Sequence, residues 1–407
     1  MNKRFFLLIF LSLILLNCSN NDDPASNETT CENLNISSQF NILNVINDKE
    51  ITSTIKTNDG GYIGIANSGD YDILKFDSNF NLLWNKTYGG SERDNAQSII
   101  QTNDGGYLVI GKTRSTDGDI SQNYGDYDIW VCKLDIDGDL VWEKNYGGSQ
   151  GDGINKENSL IQNEDGNYFF IAYTKSNNHN ITLNHGGYDV WLVKINSIGE
   201  IIFEKTFGGS DNDYGIKIIK NNNNYNLLIN ASSVNGDFNE SGNWVVQIDE
   251  GGIIDWKTNL FGINPGSICT TTNDEIIAIN TDFKGFFLNK LDSDGNIILS
   301  NTISFQSISN KQPTADKIIE TSNNGFIILG DLGNGNDQDA IVFRVSCSFN
   351  EVYNKIYGGN YYDKSSSLIS LDNNFVYQLI TLSTNLEGIN HSGRFSSVFI
   401  DFKETQN

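Results

Sequence analysis

The sequence is short of most of the parts that chemistry is commonly built from. Its 407 residues include three prolines, one methionine, three histidines and five cysteines, and 51 acidic residues outnumber 27 basic ones to leave a formal net charge of −24. The shortage of base excludes a nucleic-acid partner, because phosphate binding needs a concentrated cationic surface and the lysines here are scattered. The histidines, His179, His185 and His391, and the spacing of the cysteines match no zinc pattern. Arginine stands only at Arg4, Arg93, Arg114, Arg344 and Arg394, which cannot supply the cluster that a sialidase uses on its substrate carboxylate. No serine nucleophile elbow, P-loop or dinucleotide-binding glycine pattern occurs. Long apolar runs are missing too: the longest, Phe5 to Leu16, is 12 residues with Ser12 inside it, too short to span a bilayer unaided.

That short run follows Lys3 and Arg4, the order of an export signal. Leu15-Leu16-Asn17-Cys18 resembles the lipobox of bacterial lipoproteins, with Asn17 in place of the usual small residue. The resemblance implies a signal peptide over residues 1–17, an acylated Cys18, and an anchor in the outer membrane of a Gram-negative bacterium, on its extracellular face. Residues 18–37, with Asp22, Asp23 and Pro24, read as an acidic flexible tether. Export permits disulfides.

What the sequence has in quantity is glycine (39 residues), asparagine and aromatic residues (11 %), a mix suited to short strands joined by tight turns. A unit of about 44 to 61 residues recurs, and each copy reads as strand, turn, strand, long loop, strand, turn, strand and glycine-rich closing loop. The third strand is clearest: Tyr127-Asp128-Ile129-Trp130-Val131-Cys132-Lys133-Leu134-Asp135 returns as Tyr188 to Asn196 and as Tyr71 to Asp77. Four strands per unit predict an all-β, seven-bladed β-propeller of four-stranded antiparallel blades. The expected blades are 48–90, 91–148, 149–209, 210–262, 263–305, 306–359 and 360–402. The last lacks a fourth strand, which residues 38–47 would supply, closing the ring of a single domain over 38–402 and leaving a tail at 403–407. Cys31 and Cys347 then fall on one face in neighbouring blades, a possible disulfide.

Asp126 to Gly148 and the Asp165-Gly166 turn resemble the bacterial β-propeller repeat family of exported multi-blade proteins. The shared pattern is an Asp before an apolar strand, Lys-Leu-Asp, a turn glycine, a Trp strand, Tyr-Gly-Gly-Ser and an Asp-Gly turn. The resemblance implies a fold and an exported address, with no single activity attached.

Four closing loops carry Gly-Gly-x-x-x-Asp and place Asp94, Asp152, Asp213 and Asp363 at equivalent positions. Such a ring could hold Ca²⁺, or each Asp could bond the amides of its own turn. Asp135 to Asp139 and Asp292 to Gly295 read as hairpin turns that superficially copy calcium loops. Trp84, Trp142 and Trp256 occupy matching fourth-strand positions, and Trp130, Trp191 and Trp244 matching third-strand ones, where repeated aromatics fill the space between blades. The long second-to-third-strand loops, Thr113 to Gly125, Lys175 to Gly187, Ser232 to Gly242 and Thr381 to Gly393, form the expected contact face. The resulting expectation is a lipid-anchored, non-catalytic binding or scaffold module for a glycan or a cell-envelope protein. The alternative is a polysaccharide lyase or hydrolase built on the same propeller, which would need two carboxylates facing each other across a cleft.

Overall fold

The structure is a computed structural model and describes residues 36–47, 49–305, 312–321, 324–334, 337–358, 363–371, 374–381 and 396–406. Every extended element among them is a β-strand, and no helix of the described residues is long and apolar enough to cross a membrane. The second unit shows the plan. Strands Asp94–Gln101, Tyr107–Thr113, Asp128–Leu134 and Leu140–Tyr146 pair in order, each antiparallel to the last. The third strand is buried along its whole length, whereas the fourth alternates exposed and covered residues. A sheet with neighbours on both faces requires this gradient, since only its outermost strand meets water.

The expected seven blades are corrected to six, and the expectation that every blade has four strands is corrected too. Six sheets, over 51–88, 94–146, 152–207, 213–260, 264–304 and 317–357, are blades made from one continuous stretch of chain. The remaining sheet, at the expected seventh position, is a composite: Ile36–Asn47 pairs with Ser396–Gln406, which pairs with Asn374–Thr381 and then Asp363–Leu371. The blades are also not uniformly four-stranded. Blade three has five strands, because its inner strand is broken into Asp152–Gly153 and Leu160–Gln162 by the inserted run around Lys156. Polar and charged residues there cannot continue an apolar inner strand, so the chain leaves the ladder and returns.

Most innermost strands carry a one-residue register shift, between Ile51 and Ser53, Ala96 and Ser98, Gly215 and Lys217, Pro265 and Ser267, and Ser365 and Ser367. A bulge bends its strand and turns one residue out of the ladder. The hydrophobic core is distributed between sheets. Leu108, Ile110 and Val131 of blade two pack with Phe170, Trp191 and Val193 of blade three, and Leu368, Val398 and Ile400 of the composite sheet pack with Ile327, Leu329 and Val342 of blade six. Each such side chain contributes about 1.5–3 kcal/mol by leaving water.

The repeated fourth-strand tryptophans join one blade to the next. Trp142 Nε1 donates to Ser197 O (3.2 Å) and Tyr146 Oη to Gly199 O (2.6 Å), both in the third turn of blade three. Gly199 has φ +80°, and a Cβ there would meet the Trp142 ring at 3.0 Å. The turn therefore needs glycine both for its backbone and for the ring against it.

Candidate functional site

Among the described residues, the Gly-Gly-x-x-x-Asp loops build a clasp at three junctions. Asp152 is buried between blades two and three, where its oxygens accept Gly148 N (2.8 Å), Thr174 Oγ1 (2.5 Å), Ser176 Oγ (2.9 Å) and Lys175 N (3.2 Å). Asp94 is held by Gly90 N, Ser115 Oγ and Thr113 Oγ1, and Asp213 by Gly209 N, Ser233 N and Ser233 Oγ. The sequence signal for this clasp includes the small hydroxyl residues at the end of each second strand. Both glycines are needed. A Cβ on Gly147 would lie within 3.0 Å of the Asp128 and Asp152 carboxylates, and one on Gly148 would meet Ser176 and Asn178.

A second carboxylate accompanies the clasp. Asp128 and Asp189, from the third strands, are buried, and each has one oxygen, Oδ1, with no hydrogen-bond partner among the described residues. Burial pushes the Asp128 carboxyl up to about 7 against a backbone hydrogen bond from Tyr124, with Asp152 adding to the rise. Asp189 is raised by burial too, although His185 opposes the rise through its backbone N (2.7 Å) and Nδ1 (2.6 Å).

Other residues singled out in the sequence lie as follows. Asp363 is buried at the start of the composite sheet's inner strand. Asp135 Oδ1 accepts Asp137 N and Asp139 N, and Asp292 Oδ1 accepts Asp294 N and Asn296 N, so both acidic turns are closed by their own backbone. The Lys of Lys-Leu-Asp reaches back to the first turn, with Lys133 at 3.0 Å from Asp104 and Lys75 at 2.8 Å from Asp59. Cys132 and Cys269 are free, and Cys347 is disulfide-bonded. Cys18, Cys31, His391 and the loop from residue 382 to 393 lie outside the described residues. No group of three or more His, Cys, Asp or Glu side chains converges among the described residues.

The site that sequence reasoning missed lies where the innermost strands meet. A cavity of about 340 Å³ is lined by Thr52, Gln97, Asn155, Lys156, Asp316 and Lys364, among others, drawn from blades one, two, three, six and the composite sheet. Thr52, Gln97 and Ser366 reach it because they are the bulged residues of their strands. A second cavity of about 250 Å³, lined by Lys56, Asn158, Ser267 and Lys317, lies along the same strands. Together they form a central channel, and the Lys317–Glu157 ion pair (3.0 Å) joins the two linings.

Four lysines gather here. Lys156 Nζ sits 3.3 Å from Asp316, and wholly buried Lys217 donates to Ser267 Oγ (2.9 Å) and Asp316 O (2.5 Å). Burial pushes the Lys217 ammonium down to about 7; Glu157 resists this, while Lys156 and Lys317 reinforce it. Burial would raise the Asp316 carboxyl, but Lys156, Lys364 and Lys217 together hold it below the usual range. Asp331, buried behind it, is raised by burial and by Asp316, and accepts Ser365 N at 2.6 Å. A faint signal existed in the sequence. Ser98, Ser159, Ser267 and Ser367 precede the apolar pair of their inner strands, and Lys217 and Lys317 replace them in blades four and six. Chemically, the channel offers ammonium, hydroxyl and amide donors around two ion-paired carboxylates, which suits holding an anion.

No protein-family model matches the chain, and no curated protein matches it. Solved structures do. The WD40 domain of Neurospora crassa Pan2 superposes with a TM-score of 0.54 at 8% identity, covering 89% of this chain and 95% of that one. The fold is a β-propeller. The propeller of Dos1 aligns at TM-score 0.52 and 10% identity over 86% of this chain and 78% of that chain. The C-terminal WD40 domain of Sif2 aligns at TM-score 0.50 and 10% identity, over 88% and 97%. At these identities the likeness is one of fold, so any function of this propeller must be argued from its own residues.

Proposed function

We propose that the chain is an exported propeller, tethered to the outer membrane through acylated Cys18 and facing outward, that works as a non-catalytic binding module for an acidic glycan. In this reading Cys31 is the partner of Cys347 and pins the tether to the body. The observation that carries the ligand class is that Lys156, Lys317 and Lys364 line the central cavities, with Lys217 buried behind them, in a chain whose net charge is −24. A protein so acidic repels anions at long range, so concentrated base at its hub points to a ligand with a carboxylate or similar group. Hydroxyls and amides from Thr52, Gln97, Asn155 and Ser366 would meet the sugar hydroxyls. The hydrolase alternative is weaker on geometry. Glu157 and Asp316 are each paired with a lysine, and Asp331, whose carboxyl is raised, is buried behind Asp316 and lines neither cavity, so none is placed as the protonated acid that glycoside cleavage needs.

The test is calorimetric titration of the full-length chain in detergent with a uronic-acid oligosaccharide and with a neutral one of equal length, in calcium and in chelator. The acidic ligand should bind, lose affinity as salt rises, and weaken about tenfold in a Lys156→Ala/Lys364→Ala variant. Binding should also weaken as pH rises through about 7, where Lys217 loses its charge. Equal binding of both sugars, or none, would overturn the ligand class. New reducing ends would restore the enzyme reading, and dependence on calcium would return attention to Asp94, Asp152, Asp213 and Asp363.

A further inference from the structure

The junction between blades four and five departs from the clasped pattern. Its closing loop reads Leu260-Phe261-Gly262-Ile263, so Phe261 stands where the clasped junctions have their first glycine. The strand that follows begins with Asn264 instead of a clasp aspartate. The long loop Ser232 to Gly242 of blade four walls this stretch on one side, and no long loop of blade five covers it. The second-to-third-strand connection of blade five is the turn Asp282-Phe283-Lys284, closed by Lys284 N (2.6 Å) and Gly285 N (3.0 Å) donating to Asp282 Oδ1.

The result is an open aromatic notch. Phe261 is 72% exposed and Phe283 62% exposed, and Phe261 meets Phe287 edge-on with ring centroids 4.8 Å apart. A cavity of about 450 Å³ beside them is lined by Glu240, Asn259, Phe261, Ile263 and Asp282, among others. Among the described residues, the unpaired buried polar atoms near it are two amide acceptors and one donor, Nε1 of Trp244, which pairs across the strand with Asn259. Asn280, wholly buried beneath Gly262, donates its Nδ2 to Phe261 O (3.1 Å), but its Oδ1 has no partner among the described residues, and neither does the buried Oδ1 of Asn259. Glu240 forms no ion pair among the described residues.

We propose that this notch docks a cationic side chain, an arginine or lysine, presented by an extended segment of a protein partner. Charge complementarity selects this occupant. The lining holds two carboxylates, Glu240 and Asp282, and no base, ring faces attract cations through their quadrupole, and a guanidinium can donate to carboxylates in a planar fork. The volume accommodates one long side chain and the backbone that carries it. This site is separate from the central channel and does not depend on what the channel holds.

The test titrates the full-length chain in detergent, at about 150 mM salt to screen diffuse attraction, with a fluorescent Gly-Arg-Gly amide and with the same peptide carrying citrulline, a neutral isostere of arginine. The arginine peptide should bind and the citrulline peptide should bind about tenfold more weakly. Phe261→Ala, which leaves the net charge unchanged, should weaken the arginine peptide by a similar factor, as should Glu240→Gln/Asp282→Asn. Equal binding by Phe261→Ala would reveal only general attraction to an acidic surface and overturn the proposal. Failure of the arginine peptide to bind would do so too, as would a neutral oligosaccharide that binds in a Phe261-dependent, carboxylate-independent way. Melting curves of both variants confirm that they are folded.

Discussion

At the junction of blades two and three, Asp152 gathers four protein donors while Gly147 and Gly148 pass close against its neighbours. At the junction of blades four and five no aspartate stands at either place: Gly242 occupies the third-strand position of Asp128, its neighbour Asn243 donates its Nδ2 to Gly262 O at 2.8 Å, and a phenylalanine projects into solvent. The two junctions solve the same closure in the same fold. One does it with buried charge, hydroxyls and glycine, and the other with amides, leaving apolar surface exposed. The difference teaches that the clasp is not a condition of the fold. Where it is absent, surface is left over for contact.

Breaking the clasp should have the largest effect. Asp152→Ala would strand four donors, of Gly148, Thr174, Lys175 and Ser176, beside a buried site and should cost about 3–5 kcal/mol, read from the urea midpoint. Asp152→Asn, which keeps part of the acceptor set, should cost less; equal stability of all three proteins would show that the clasp is decorative.

Packing around the glycines sharpens the contrast. Gly147→Ala forces a Cβ against two carboxylates and should cost about 2–3 kcal/mol, whereas Phe261→Ala at the matching position of the open junction should stay within about 0.5 kcal/mol. Thermal melts of the two variants side by side would decide, and similar losses would contradict the assignment of Phe261 to the surface.

The smallest effect is on the response to pH. Asp128 has a folded pKa of about 7 against an ordinary 3.8, so the folded state holds the proton more tightly. Its contribution is fully present below about 4 and is lost as pH rises towards about 7. Asp128→Asn should therefore flatten the fall in stability between those values and leave the variant the more stable protein at pH 8. The open junction has Gly242, with nothing to titrate, at this place, so Asn243→Ala beside it should leave that slope unchanged. Denaturant midpoints measured at pH 4.5 and pH 8 give both answers.

Much of the scaffold could be read from the chain. The tight turns at Asp104-Gly105-Gly106, the Trp142 strand and the glycine of the third turn each depend on neighbours a few residues away or on the next repeat, so their pattern survives in the letters. The break in blade three was harder to see, because Asn155-Lys156-Glu157-Asn158 was masked by the intact Leu160-Ile161 pair beyond it. The composite sheet joins residues near both ends of the sequence, such as Val45 with Val398, and its register is a matter of long-range pairing. The notch was legible only as a loop ending in glycine, since nothing local says that the loop opposite it is short.

The repeated strands, their turns and the need for glycine beside each clasp were determined by the sequence alone, because sterics and strand periodicity act between residues close in the chain. The tertiary structure alone decided that Lys156 would face Asp316 and that Lys317 and Lys364 would line one channel with Lys217 buried behind it. Charges interact through space, and only closing the strands around a common axis brings residues so distant in sequence within a few ångströms.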